Sequence, residues 1–147
     1  MSDASAIFSE LLERMTSAIC AGDAWAAASC FTSDGVYHDG FYGEFTGREA
    51  IANMITGLFY RDASDFAWHV SDACSDGHMG YARYRFTYVS KIPSSEGRRV
   101  SFAGISCCVL DGKRIRRYGE IFERAPTLVQ LGFGDERILK SIKRWAK

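Results

Sequence analysis

Two acidic residues of this sequence stand in predicted strands that also carry aromatic side chains. Asp39 shares a short predicted strand with Tyr37. Glu120 lies between Tyr118 and Phe122 on the last predicted strand. Side chains two positions apart share one face of a strand, so each acid shares its face with an aromatic ring. Apolar surroundings raise the pKa of a carboxyl group towards neutral pH, which makes both acids candidates for proton transfer.

Each acid also has a purely structural explanation. Asp39 is followed by a glycine-rich loop, and its carboxylate could accept hydrogen bonds from that loop instead of a proton from a substrate. Glu120 could pair with an arginine such as Arg83 or Arg85 across the sheet. The sequence alone leaves these alternatives open for both residues.

A third candidate for acid–base chemistry is His69, one of three histidines. It follows Trp68 in a predicted strand, so the two side chains point to opposite faces of the sheet. A histidine that faces a cavity can exchange a proton with a bound ligand or donate a hydrogen bond to a ligand carbonyl, whereas a histidine on the outer surface does not reach the ligand. The histidines and acids show no metal-ligand spacing, and phosphate-binding glycine motifs are absent. We therefore predict neither a metal nor a cofactor.

Aromatic side chains on the predicted strands indicate a pocket for an apolar small molecule. Tyr84 and Phe86 share one face of the longest strand, and such rings form pocket walls as readily as they fill a core. The residues that we expect to bind the ligand are Tyr37, Trp68, Tyr84, Phe86 and Tyr118.

The elements that position these residues change from helical to strand periodicity along the chain. Apolar spacing predicts helices over 5–21, 23–31 and 48–59 and from 135 onwards. Alternation and turn signals predict strands over 36–39, 66–73, 79–91, 99–110 and 114–123, with a hairpin turn at Asp111-Gly112. We expect one α+β domain over 1–147, in which N-terminal helices cover one face of a curved antiparallel sheet and enclose a cone.

Three segments carry a resemblance to a known family. They are Gly22-Asp23-x-x-x-Ala27-x-x-x-Phe31, Asp34-Gly35-Val36-Tyr37-x-Asp39 and Gly43-x-Phe45-x-Gly47-Arg48-Glu49-Ala50-Ile51. Together they resemble the opening of SnoaL-like proteins in the nuclear transport factor 2-like superfamily, whose fold is the cystatin-like α+β cone. The resemblance extends from about residue 5 to residue 124. It implies the fold more specifically than the activity, because isomerases, dehydratases, epoxide hydrolases, cyclases and non-catalytic binding domains share it.

The resemblance also implies roles for the two acids. Asp39 matches the general base of ketosteroid isomerases, and Glu120 matches the last-strand acid of epoxide hydrolases and SnoaL-type cyclases. The oxyanion donors of the isomerases fall at Met15 and near Ser106, so that particular isomerisation is not expected. The epoxide hydrolases need Arg-x-Asp on the central strand. This chain has Arg83-Tyr84-Arg85 there, so epoxide hydrolysis is not expected either.

These observations predict a small-molecule-binding protein that transfers protons without a cofactor. The reaction would be an isomerisation, cyclisation or dehydration of an apolar ketone or polyketide-like substrate. Asp39 would be the base, Glu120 an acid or base, and His69 a further candidate. The alternative from another class is a non-catalytic ligand-binding or dimerisation domain, which the missing oxyanion donors favour.

Composition and charge exclude other classes of protein. The chain is 47% hydrophobic and 24% charged, which is typical of a folded globular protein. Its net charge is zero, although residues 1–75 carry −8 and residues 76–147 carry +8. The basic residues are scattered, so we expect the halves to compensate each other and expect no nucleic-acid partner. The pattern shows no membrane span and no secretory signal, which predicts a cytoplasmic protein. The resemblance to SnoaL-like proteins implies a homodimer, which would cover sheet surface that the helices leave open.

Overall fold

The computed structural model describes residues 1–147. The helices are α1 (Asp3–Cys20), α2 (Ala24–Ala28), α3 (Arg48–Met54), α4 (Tyr60–Asp62), α5 (Arg124–Gln130) and α6 (Asp135–Trp145). A π-helical turn (Ile55–Phe59) joins α3 to α4, and Pro93–Ser95 forms a 3₁₀ turn. The strands are β1 (Phe31–Asp39), β2 (Gly43–Thr46), β3 (Ala63–Ser75), β4 (Met79–Ser90), β5 (Arg99–Asp111) and β6 (Arg114–Phe122). The predicted α+β class is confirmed.

The six strands form one curved, open sheet in the order β2-β1-β6-β5-β4-β3. Four of the neighbouring pairs are antiparallel, and the three that join β3, β4, β5 and β6 are the predicted ones. The pair β1–β6 is parallel, which the sequence analysis did not anticipate. This one parallel pair joins the first strand of the chain to the last, and it determines which residues meet at the centre of the sheet.

β3 bends at two irregularities in its pairing with β4. Asp65 and Asp72 lie at these two points with φ angles of 50° and 54°, in the left-handed region that aspartate tolerates better than most residues. Such bulges increase the local twist of a strand. They therefore help the sheet to curve towards the helices.

The first half of the chain departs most from the predicted elements. β1 begins at Phe31, whereas the predicted strand begins only at residue 36. A register shift between Phe31 and Val36 interrupts the pairing with β6 in this added part of the strand. The segment over 40–47, for which no helix or strand was predicted, contains the short edge strand β2. The helix predicted over 48–59 is α-helical only as far as Met54, and the π-helical turn forms the rest of it.

Two apolar clusters hold the helices against the sheet. In the larger cluster, α1 contributes Phe8, Leu12 and Met15, which are almost fully buried against β3 and β4. In the smaller cluster, Leu128 from α5 and Val100 from β5 pack together. Burial of such side chains is the main favourable contribution to folding. Both ends of the sheet are therefore covered, and space is left between the covers.

The C-terminal segment closes back over the sheet. Shortly after the end of α5, Gly132 has a φ of 74°, and a Cβ at this position would lie 2.7 Å from the Ser94 carbonyl oxygen, so both features favour glycine. α6 contacts the smaller apolar cluster through Ile138 and Trp145, yet none of its residues is buried. None of the helices combines the length and the apolar character that a membrane crossing requires.

Candidate functional site

A cavity of about 1510 Å³ opens between the sheet and the C-terminal segment. Of its 30 lining residues, 18 are hydrophobic, which suits a largely apolar ligand. The predicted site residues that line it are Tyr37, Asp39, Trp68, Tyr84, Phe86 and Glu120. Of the remaining predictions, Tyr118 lies beneath the lining residues and His69 lies elsewhere.

The parallel pairing of β1 and β6 brings the two acids together. Tyr37 and Tyr118 are direct partners in this pair. Asp39 follows Tyr37 by two residues, and Glu120 follows Tyr118 by two residues, so both acids lie on the face of their paired tyrosines. Adjacent strands are about 4.8 Å apart. The two carboxyl groups are therefore neighbours at one end of the cavity.

Asp39 is held by the loop that follows it. Its Oδ2 accepts hydrogen bonds from the backbone amides of Phe41, at 2.8 Å, and Tyr42, at 3.0 Å. This is the loop contact that the sequence left as an alternative, and it uses one carboxylate oxygen only. Oδ1 makes no hydrogen bond to the protein although the residue is only 7% exposed. Burial raises the pKa of Asp39, and the two amides and nearby His38 partly oppose that rise.

Glu120 accepts hydrogen bonds from two tyrosines. Its Oε2 lies 2.9 Å from the hydroxyl of Tyr84 and 3.2 Å from the hydroxyl of Tyr118. Burial and, to a smaller extent, the nearby Asp39 carboxylate raise its pKa to about 8, although the tyrosine hydrogen bonds oppose part of that rise. A carboxyl group in this setting keeps its proton at neutral pH. Glu120 is thus suited to donate a proton.

The pairing of Glu120 with Arg83 or Arg85 does not occur. Both arginines are exposed on the other face of β4. Arg83 forms an ion pair with Asp72 at 3.7 Å, and Arg85 reaches the Ser101 hydroxyl at 3.5 Å. Alternation along β4 explains the difference, because the intervening Tyr84 points to the cavity while the arginines point away from it.

Two buried hydroxyl groups form a hydrogen-bonded chain that ends on Glu120. Tyr118 is fully buried and donates to Glu120, so the Ser106 hydroxyl, 3.0 Å away, donates to Tyr118. The ring of Tyr37 packs on Tyr118 with centroids 4.7 Å apart. Burial raises the pKa of both tyrosines well above the usual value, so they remain protonated. Tyr118 therefore positions Glu120 and does not line the cavity.

Aromatic rings from four strands form the cavity wall next to the acids. The ring of Trp68 on β3 contacts Phe86 at 4.9 Å and Tyr84 at 5.7 Å between centroids. Phe102 of β5 and Phe122 of β6 stack at 4.4 Å. These contacts fix the rings relative to one another, so the wall is formed before any ligand binds.

Several lining residues were not predicted as site residues. Those on strands could have been found by alternation, because Phe66 shares its face with Trp68, and Phe122 shares its face with Glu120. Phe59 comes from the π-helical turn, and its ring lies 6.0 Å from that of Tyr37. No sequence signal identified that contact or the lining contribution of α6.

The remaining sequence candidates lie outside this cluster. His69 is exposed and pairs by register with Arg85, on the face of β3 turned away from the cavity. Met15 is buried in the larger apolar cluster, and the hydroxyl of Ser106 is used by Tyr118. No group of three or more His, Cys, Asp or Glu side chains is close enough to hold a metal ion.

Comparison with known proteins identifies the family. Residues 12–118 match the family model described as a SnoaL-like domain, which is most of the chain. The chain belongs to the SnoaL-like domain family. The predicted resemblance is therefore confirmed. No match was found among curated proteins.

Solved structures share the fold of this SnoaL-like domain at low sequence identity. A proposed polyketide cyclase from Xanthomonas campestris pv. campestris is 16% identical with a TM-score of 0.72, over 88% of this chain and 99% of that one. An LEH-like epoxide hydrolase from M. tuberculosis is 16% identical with a TM-score of 0.70, over 94% and 96%. A protein with a ketosteroid isomerase-like fold from Catenulispora acidiphila DSM 44928 is 18% identical with a TM-score of 0.74, over 85% and 94%. At these identities the likeness concerns the fold alone.

Proposed function

We propose that this SnoaL-like protein catalyses a cofactor-free proton transfer on an apolar ketone bound in the cavity. The observation that carries the proposal is the pair of neighbouring carboxyl groups, Asp39 and Glu120, at the cavity surface. Two carboxyl groups that cannot both ionise easily provide one base and one acid at the same pH. The cyclases and isomerase-like proteins that share the fold are consistent with this chemistry.

The two acids have different surroundings, which assigns their roles. Asp39 accepts two backbone amides, and these stabilise its charged form. Glu120 has a pKa of about 8 and keeps its proton. In the proposed step, Asp39 Oδ1 takes a proton from the carbon next to the ketone, and Glu120 gives its proton to the ketone oxygen. The product is an enol, and both protons are conserved.

The enol can then complete one of three reactions. Return of a proton at another carbon completes an isomerisation, addition to a second carbonyl completes a cyclisation, and loss of a neighbouring hydroxyl as water completes a dehydration. Trp68, Tyr84 and Phe86 hold the substrate against the acids. We assign no step to His69, because its side chain is exposed on the opposite face of β3.

Deuterium exchange into a simple ketone tests this proposal without knowledge of the natural substrate. β-Tetralone in D₂O exchanges the protons next to its carbonyl, and NMR follows their loss. We expect Asp39→Asn and Glu120→Gln each to lower the catalysed rate by about 100-fold or more. The control is Glu123→Gln, an exposed acid beyond the end of β6. Equal rates in all four proteins would contradict the proposal.

A non-catalytic binding domain is the second candidate function. The hydroxyls of Tyr84 and Tyr118 are already given to Glu120, so neither of these two is free to stabilise an oxyanion. Under this candidate, β-tetralone binds in a calorimetric titration and its exchange stays at the rate in buffer. Binding together with exchange that depends on Asp39 supports the enzyme instead.

We further propose that the protein forms a homodimer through the outer face of its sheet. Ile105 and Ile121 are register partners on β5 and β6, and they are 45% and 72% exposed. Apolar side chains paired in this way on a sheet surface are typical of an interface. Sedimentation should give twice the chain mass, and Ile121→Asp should give the monomer. Val129→Asp, at an equally exposed position on α5, should remain dimeric.

We also propose that the protein is located in the cytoplasm. All five cysteines are unpaired thiols, and thiols persist in a reducing compartment. Fractionation of cells that produce the native chain should recover it with cytosolic enzymes. Recovery from an oxidising compartment would contradict the proposal.

A further inference from the structure

α6 contributes basic as well as apolar side chains to the cavity lining. Trp145 lines the cavity and also packs on the smaller apolar cluster, and the cations Arg137, Lys140 and Arg144 line the cavity beside it. These three cations lie on one side of the helix, because positions three and four apart are neighbours on a helical surface. Glu136 is the one acid that α6 adds to the lining, so cations outnumber acids on this rim.

The cations of this rim have no acidic partners within the protein. None of the ion pairs of the chain includes Arg137, Lys140 or Arg144. Arg137 stacks on the ring of Phe133 at 3.6 Å, which orients its guanidinium group and leaves its charge uncompensated. By contrast, Arg61, which also lines the cavity, pairs with Asp62 at 2.7 Å.

The carboxyl pair makes no ion pair with these cations. No lysine or arginine is within ion-pair distance of Asp39 or Glu120. The one basic side chain that lowers the pKa of Asp39 is His38. The cavity thus combines a carboxyl pair, aromatic walls such as Trp68 and Phe86, and a rim on which α6 places several cations.

We propose that the cavity selects an apolar ketone that carries an anionic group, with Lys140 and Arg144 binding the anion at the rim. Arginine and lysine at positions four apart can hold a carboxylate or a phosphate from two sides. The inference rests on the proposed function only for the placement of the ketone at the acid pair. It adds the substrate class, which the acid pair alone does not define.

Calorimetric titration of matched probes tests the inference. The probes are 2-naphthyl ketones with a four-methylene chain that ends in a carboxylate, a phosphate monoester or a primary amide. We expect each anionic probe to bind the unaltered protein on the order of fivefold more tightly than the amide at low salt, as two partly exposed ion pairs allow. The advantage should shrink in concentrated salt because rim charges are screened.

Double variants show whether the rim supplies the advantage. Lys140→Gln with Arg144→Gln should remove the preference for the anions and leave the affinity for the amide unchanged. The matched control, Lys113→Gln with Arg116→Gln, neutralises two exposed cations of the β5–β6 hairpin away from the cavity. It should retain the preference. A preference for only one of the two anionic probes identifies which anion the rim accepts and supports the inference.

Two results would overturn the inference, and only one of them would also overturn the proposed proton transfer. Equal binding of anionic and neutral probes, or equal losses in both double variants, rejects the anion site and leaves the proton-transfer proposal standing. Failure of every probe to bind rejects the cavity as a ketone site and removes both proposals. Loss of exchange in Asp39→Asn with an intact anion preference supports both.

Discussion

Asp39 and Glu120 are neighbours because they each lie two residues beyond a paired tyrosine, Tyr37 on β1 and Tyr118 on β6. In a parallel pair, equal steps along both strands keep residues side by side and on one face. Backbone amides stabilise the charged form of Asp39, whereas burial and the nearby Asp39 carboxylate raise the pKa of Glu120 to about 8. The strand register is thus the direct cause of the proximity of the two carboxyl groups.

The rate of ketone exchange should depend on pH through both acids. It should rise as Asp39 loses its proton, above the usual range for aspartate, and fall as Glu120 loses its proton near pH 8. β-Tetralone exchange measured across this range checks the profile. In Glu120→Gln the small remaining rate should lack the alkaline fall, because glutamine does not ionise. An unchanged alkaline fall in that variant would assign it to another group.

Tyr84→Phe should raise the pKa of Glu120. The Tyr84 hydroxyl donates to Glu120 Oε2 at 2.9 Å and stabilises its charged form, so its removal favours the protonated form. The alkaline fall of the exchange rate should move to higher pH, and the free energy of unfolding should drop by about 1 kcal/mol. A ¹³C NMR titration of the labelled glutamate carboxyl measures the shift directly. Tyr81→Phe, an exposed tyrosine on the same strand, is the control.

Glu120 should make the stability of the protein depend on pH. Its folded pKa of about 8 exceeds its unfolded value, so the folded state binds the proton more tightly. The stabilisation is fully present below the unfolded pKa and is lost as pH rises through the folded pKa. Between the unfolded and the folded pKa of Glu120, the free energy of unfolding falls by about 1.4 kcal/mol for each pH unit.

Urea unfolding at several pH values measures this dependence. The difference in free energy of unfolding between Glu120→Gln and the unaltered protein should move in favour of the variant as pH rises from acidic to alkaline. Glu123→Gln, whose carboxyl is exposed, should follow the unaltered protein throughout. A difference that stays constant with pH would show that Glu120 titrates alike in both states.

Local patterns allowed the strands of the second half to be predicted, because alternation and turns are set by neighbouring residues. Asp111-Gly112 gave the β5–β6 turn, and the period of two placed Glu120 on a face with Tyr118. The parallel contact of β1 with β6 joins residues far apart in the chain, and no local signal encodes it. The sequence therefore identified both acids but not their proximity.

Orientation was harder to predict than residue type. His69 and Trp68 alternate, and the sequence did not show which of them faces the helices. Trp68 faces the helices because it has the larger apolar surface, and burial of a tryptophan stabilises the fold more than burial of a histidine. The rim formed by α6 was also beyond prediction. Amphipathic spacing finds an apolar face but does not show what the charged face of a helix borders.

Gly104→Ala should disturb the acid pair through Tyr84 without changing any polar residue. A Cβ at this position of β5 would lie 2.7 Å from the backbone oxygen of Ile121 and 2.7 Å from the Tyr84 hydroxyl. The backbone atom cannot move cheaply, so we expect a loss of about 1–3 kcal/mol in stability together with displacement of the hydroxyl. The alkaline fall of exchange should then shift upwards, as in Tyr84→Phe. Gly119→Ala on β6 meets its nearest atom only at 3.8 Å and should change neither property. If Gly104→Ala lost stability but kept the original pH profile, the Tyr84 hydroxyl would not control the proton of Glu120.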